Sequence, residues 1–170
     1  ERLGREERGG GEASLRFMQQ DARSFRIVIS SEARLLHILR CVVRYRAQEA
    51  GFAPSDVDCL TMAIDEAASN IIRHTYGGRP DAYLALEVRT FSDHLEFLLE
   101  DSGPRLPPDA WRSRPLDDVR PGGLGTYFIK CFMDVIAYDE DYAGGNRLRL
   151  VKYFSPTGST NDESASQKRE

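Results

Sequence analysis

The sequence predicts a two-layer α/β sandwich, an α+β fold in which helices cover one face of a mixed, mostly antiparallel sheet. Three observations carry that expectation. Apolar residues alternate in several short runs and recur at helical spacing in several longer ones. These runs follow the order strand, helix, helix, strand, strand, loop, helix, strand, strand, which lacks the regular strand–helix alternation of a doubly wound parallel sheet. The chain has 170 residues, 41% of them hydrophobic, which suits one domain with a sizeable core.

Residues 1–22 are rich in Gly, Glu and Arg without periodicity and read as a flexible leader or linker. The domain is expected over 23–155. In "SFRIVIS", Phe25, Ile27 and Ile29 alternate, as in a strand with one buried face. Ser31 is the expected cap of the next helix, whose apolar positions are Leu35, Ile38, Leu39 and Val42, and Gly51 marks its stop. Arg34, Arg40, Arg44 and Arg46 decorate this helix as a solvated face. A second helix starts at Pro54 and Ser55, with Ser55 as N-cap and Asp58 at the capping-box position. Val57, Leu60, Ile64, Ala67, Ala68, Ile71 and Ile72 make its buried side. The strands "YLALEV" and "LEFLLE" follow, with a hairpin turn near Ser92 and Asp93. Residues 102–121 carry Pro104, Pro107, Pro108, Pro115 and Pro121 and form a long loop of the kind that usually serves function. After "GGLG" comes a helix bearing Tyr127, Phe128, Phe132 and Met133, then strands "DVIAYD" and "RLRLVKYF", joined through Gly144, Gly145 and Asn146. Residues 156–170 are polar and read as a disordered tail.

The net charge of −4 argues against a general nucleic-acid binder, which needs a surplus of Lys and Arg. Charges interrupt every apolar run, so no membrane span is expected. Cys41, Cys59 and Cys131 share no metal-ligand spacing and sit in apolar helical contexts, which predicts buried free thiols and a reducing, cytoplasmic setting.

Three constellations carry chemistry. On the second helix, Glu66 and Asn70 are four residues apart and therefore side by side, with Arg73 on nearly the same stripe. An amide oxygen suits Mg²⁺ that takes the rest of its shell from water and phosphates, and a nearby carboxylate can accept a proton from an attacking hydroxyl. In "LLEDSGP", Asp101 ends an apolar strand and Gly103 leaves room for a flat ring; a carboxylate accepts the hydrogen bonds that the exocyclic amine of adenine donates. In "RPGGLGTYFIKCFMD", Gly122, Gly123 and Gly125 precede a helix, whose N-terminus favours anions, with Arg120 and Thr126 flanking. Taken singly, a solvated helix face, a strand-end turn and a hinge are sufficient accounts of these features.

In this order they resemble the anti-sigma-factor serine-protein kinases (RsbW-like) of the GHKL, or Bergerat-fold, ATPase superfamily. "DEAASNIIRHTYGG" is similar to that family's N box, "EDSG" to its first glycine box and "GGLGTYFIKCFMD" to its second, over roughly Phe25 to Phe154. The resemblance implies an ATP- and Mg²⁺-dependent serine/threonine protein kinase. Glu66 is then the general base, Asn70 the Mg²⁺ ligand, and Asp101 with Gly103 the adenine reader. The phosphate loop is Gly122, Gly123, Leu124, Gly125 and Thr126, and 102–121 is the ATP lid. The implied partners are a STAS-type anti-sigma-factor antagonist, a sigma factor and a second copy of the chain. The sequence departs from the family after Gly103, where "PRLPPDAW" intervenes, with Trp111 read as a packing anchor and His74 as a structural histidine. The alternative is a non-catalytic nucleotide- or partner-binding domain of a larger signalling protein; a histidine-kinase catalytic domain ranks below both.

Overall fold

The computed structural model describes residues 23–105 and 124–154. The expected leader (1–22), most of the lid (106–121), the tail (156–170), Trp111, Arg120, Gly122 and Gly123 lie outside the described residues. The elements are β1 (Arg23–Ser30), α1 (Leu36–Glu49), α2 (Pro54–Asn70), β2 (Tyr83–Thr90), β3 (His94–Asp101), α3 (Leu124–Phe132), β4 (Val135–Tyr138) and β5 (Asn146–Tyr153). Their order is the one expected from periodicity.

The strands form one sheet in the order β1-β2-β3-β5-β4, and each neighbouring pair is antiparallel. This is more regular than the mixed sheet expected. The reason lies in the connections. Two helices separate β1 from β2, so the chain returns to the end of the sheet that it left. β3 and β4 run the same way around α3, but β5 inserts between them.

Register places Leu86, Leu99 and Leu148 in one row and Val88, Phe97 and Leu150 in the next. These residues are fully or almost fully buried. They meet Leu39, Val43 and Ala47 of α1, Val57, Leu60, Ile64, Ala67 and Ala68 of α2, and Ile129 of α3 in one core. Asp101 and Asn146 extend the same helix-facing side beyond the apolar rows, opposite one another in register. The sheet's other face is polar. There Glu96 and Glu100 are buried under arginines: Arg26 and Arg147 reach Glu100 at 2.6 and 2.7 Å, and Arg89 and Arg149 hold Glu96. A cavity of about 240 Å³ on this face is lined by Arg89, Glu96, Arg147 and Arg149 with Leu98, Ala137, Tyr138 and Asp139, and contains none of the candidate site residues named from the sequence.

Local details differ from expectation. The buried stripe of α1 is Leu36, Leu39, Val43 and Ala47: Leu39 is as expected, Leu36 and Val43 each stand one residue after the expected Leu35 and Val42, and Ile38 is exposed. Ser31 does not cap a helix: its hydroxyl donates to Arg79 O (2.5 Å) and accepts from Ala82 N–H (3.2 Å), tying the end of β1 to the approach to β2. Ser55 is not an N-cap either. α2 starts one residue earlier, at Pro54, whose missing N–H and fixed φ suit the first helical position, with Ala53 before it. Gly51 does terminate α1, at φ 83°. The arginines expected on a solvated face are exposed, with Arg34, Arg40 and Arg44 side chains 79%, 43% and 49% accessible, but they are also paired. Arg40 pairs with Asp65 and Arg44 with Asp58, both at 2.8 Å, linking α1 to α2. Arg46 donates to Thr90 and lies over the Phe25 ring. The cysteines are free, but Cys41 and Cys131 are exposed and Cys59 is half-buried, because each falls on the outward side of its amphipathic helix. No helix among the described residues is long and apolar enough to cross a membrane.

Candidate active site

Helix α2 owes its orientation to its apolar stripe, which fixes Glu66 and Asn70 on the half-buried flank. After Asn70 the chain makes a π-helical turn, Ile71–Thr75, in which Tyr76 N–H bonds to Ile71 O at 3.1 Å. Such turns insert one extra residue into a helix and recur at functional sites. Gly77 and Gly78 then end it at φ 62° and 78°, a conformation that other residues adopt at a cost. His74 is exposed on this turn rather than packed.

The turn delivers three side chains. Arg73 swings back along the helix, and its Nη2 donates to Glu66 Oε1 (3.1 Å) and to Asn70 Oδ1 (3.3 Å). The Thr75 side chain lies against Gly103: a Cβ at position 103 would sit 2.1 Å from Thr75 Cγ2. Tyr76 is buried, donates its hydroxyl to Tyr83 O (2.5 Å) and accepts from Ser102 N–H (3.0 Å). The end of α2 is thereby joined to the end of β3, and the first two constellations meet along Thr75 and Tyr76.

At the strand end, Asp101 is buried. Its Oδ1 accepts from Gly103 N–H (2.9 Å) and from Asn146 Nδ2 (2.8 Å). Asn146 Nδ2 also donates to Pro104 O (3.0 Å), and Tyr138 donates to Asn146 Oδ1. Gly145 lets the β4–β5 connection press on the Asp101 carbonyl: a Cβ there would lie 2.1 Å from that oxygen, and φ is 129°. Burial raises the carboxyl's pKa above the ordinary aspartate value, and the donors on Asn146 and Gly103 pull it partly back. Both described bonds land on Oδ1. Among the described residues none lands on Oδ2, the oxygen that remains to accept from a ligand.

The third constellation meets the first directly. The backbone of Gly125, in the first turn of α3, packs on Glu66: a Cβ at 125 would lie 1.9 Å from Glu66 Oε1, 2.1 Å from Cδ and 2.4 Å from Cγ. Thr126 is exposed on the same turn and Leu124 opens it. The helix N-terminus that favours anions therefore stands beside the Glu66–Asn70 pair.

Among the described residues, those picked out by sequence form one continuous strip from Gly125 through Glu66, Asn70 and the π turn to Gly103 and Asp101, while Gly122 and Gly123 lie outside the described residues. Reasoning from sequence missed Thr75, Tyr76, Tyr138, Gly145 and Asn146. Gly145 and Asn146 carried a usable signal: a glycine pair and an asparagine ahead of a strand that must pair near the one ending in Asp101.

The chain matches known proteins over this whole region. Residues 29–152 match the profile of the histidine kinase-like ATPase domain. The "Serine-protein kinase RsbW" of Halalkalibacterium halodurans is 26% identical over 138 residues, covering 75% of this chain and 82% of its own. That of Bacillus cereus is 27% identical over 154 residues, covering 85% and 94%. A solved structure of the RsbU and RsbW domains of a Mycobacterium tuberculosis protein superposes with a TM-score of 0.50 at 16% identity, over 75% of this chain and 31% of that one. A chain of the Pseudomonas aeruginosa SiaB–SiaC complex superposes with a TM-score of 0.54 at 13% identity, over 84% and 95%. At these identities the structural likenesses speak for the fold alone. The match of the family profile over most of the chain, the same span that holds Glu66, Asn70, Asp101 and Gly125, shows that the chain belongs to the histidine kinase-like ATPase domain family.

Proposed function

We propose that the chain is an anti-sigma factor and an ATP-dependent serine/threonine protein kinase: it phosphorylates a STAS-type anti-sigma-factor antagonist and sequesters a sigma factor. The observation that carries this reading is the convergence of Glu66 Oε1 and Asn70 Oδ1 on one cationic nitrogen, with the N-terminus of α3 packed against Glu66. Two oxygens that share one cation fit a divalent metal and a proton acceptor side by side. The relatives named serine-protein kinase, which align over most of this chain, support the same reaction class.

The roles follow from the donors present. Asn70 Oδ1 would hold Mg²⁺, a hard oxygen for a hard cation. When bound, Mg²⁺ neutralises charge on the phosphates. Asp101 accepts from the adenine amine through its carboxylate, and Gly103 leaves room for the ring. The backbone amides over Gly122, Gly123, Leu124, Gly125 and Thr126 bind phosphate oxygens. Glu66 takes the proton of the antagonist's serine or threonine hydroxyl as that oxygen bonds to the γ-phosphorus. The bond to the β–γ bridging oxygen breaks, and ADP leaves.

The test pairs titration calorimetry with ATP·Mg²⁺ and transfer of labelled γ-phosphate to the antagonist encoded nearest this gene. Binding with transfer is expected. Binding without transfer to any cognate antagonist supports a regulatory domain that uses nucleotide as a ligand only.

A further inference from the structure

We infer that Arg73 is a place-holder in this site: its guanidinium occupies the side-chain oxygens that a metal-bound nucleotide and its attacking hydroxyl need, and binding displaces it. The inference rests on the nucleotide reading of Glu66 and Asn70 given above. A single nitrogen, Arg73 Nη2, lies 3.1 Å from Glu66 Oε1 and 3.3 Å from Asn70 Oδ1, while Nε faces Ser69 O at 3.5 Å. Among the described residues no other donor reaches either oxygen.

The placement is built into the helix. Arg73 follows Asn70 by three residues and Glu66 by seven, so all three project along one stripe. A magnesium ion must come within roughly 2.0–2.1 Å of a ligand oxygen. It cannot do so at Asn70 Oδ1 while a guanidinium nitrogen holds that oxygen, and the two cations repel each other. The arginine side chain is 52% exposed and that of Glu66 28%, so the contact is screened by solvent and weak. Weakness is what a displaceable group requires. The same contact keeps Glu66 engaged until the ligand arrives, which couples release of the proton acceptor to nucleotide binding.

A place-holder and a phosphate-binding arginine give opposite signs on removal. The experiment is titration calorimetry of the intact chain, Arg73→Ala and Arg73→Gln, with a non-hydrolysable ATP analogue, once in Mg²⁺ and once in EDTA. Removing a screened pair of this kind should tighten binding in Mg²⁺ by about two- to fivefold and leave binding in EDTA no tighter. Unchanged or weaker binding in Mg²⁺, or equal tightening in both buffers, overturns the inference and leaves the nucleotide site standing. Failure of the unsubstituted chain to bind the analogue in either buffer removes the nucleotide reading, and the place-holder with it.

Discussion

Gly125 and Glu66 are in direct contact: the site where a Cβ would stand on residue 125 is already filled by the Glu66 carboxylate and its Cγ. The contact involves the stem of the side chain as well as its end, so a rotamer change at the carboxylate does not relieve it. Gly125→Ala should push α3 away from α2 and cost about 1–3 kcal/mol, the usual scale for overpacking. In a Glu66→Ala background the same substitution should cost far less, because the opposing atoms are gone. A double-mutant cycle by urea denaturation measures the coupling. Additive effects would mean that the two residues do not touch in solution.

If Glu66 takes the hydroxyl proton, Glu66→Gln should lower phosphate transfer by about 10²–10⁴-fold, the range for loss of a general base. Shape and packing against Gly125 are kept, so ATP affinity should change little. Single-turnover transfer with a saturating antagonist, set beside calorimetric titration of ATP, reads the two effects separately. Transfer at the unsubstituted rate would take Glu66 out of the mechanism.

The element order and the stripe of α2 were legible because each rests on a period: two for strands, 3.6 for the helix. The side-by-side placement of Glu66 and Asn70 was legible for the same reason. What escaped depends on tertiary placement. No residue type announces the i→i+5 bond at Tyr76, yet that bond determines where Arg73, Thr75 and Tyr76 point. Asn146 reaches Asp101 across 45 residues of chain, through a register that only the assembled sheet specifies. The exposure of the cysteines escapes the sequence for a related reason: a thiol in an apolar helical stretch can still occupy the outward side, as Cys41 does two positions after buried Leu39. Capping failed at Ser31 because a short hydroxyl side chain has other bonds to make, and here the carbonyl of Arg79 claims it.

The Thr75–Gly103 contact joins the π turn after α2 to the end of β3 and is testable by paired substitution. Gly103→Ala brings a methyl to 2.1 Å from Thr75 Cγ2 and 3.0 Å from Asp101 Oδ1. It should destabilise the fold by about 1–3 kcal/mol and weaken ATP binding by displacing Asp101. Thr75→Ser deletes Cγ2 and leaves Thr75 Cβ, which lies at an ordinary 3.5 Å. Gly103→Ala made in the Thr75→Ser chain should therefore recover most of the lost melting temperature, while the tighter approach to Asp101 keeps part of the binding defect. No recovery of stability would show that the methyl clash is not the cause.

Asp101 makes the last case, in which stability and binding should move in opposite directions. Burial raises its folded-state pKa above the value in the unfolded chain. The folded protein therefore holds the proton more tightly, so this residue's contribution to stability is full below the ordinary aspartate pKa and is lost as pH rises through the raised one. At neutral pH the ionised carboxylate is a net cost. Asp101→Asn keeps an Oδ1 that accepts from Gly103 and Asn146 but carries no charge, so its stability relative to the unsubstituted chain should increase with pH across the acid range and level off near neutrality. Denaturation curves from about pH 4 to about pH 8 bracket the change. If Asp101 accepts from the adenine amine, the same substitution sets two donors against each other and should cost about 1–3 kcal/mol of ATP affinity, or roughly five- to 150-fold. In the unsubstituted chain, ATP affinity should likewise fall as the solution is acidified and a proton occupies the acceptor. A stability difference that stays constant with pH would mean that the carboxyl titrates alike in the folded and unfolded chain. ATP affinity unaffected by Asp101→Asn would remove this residue from adenine recognition.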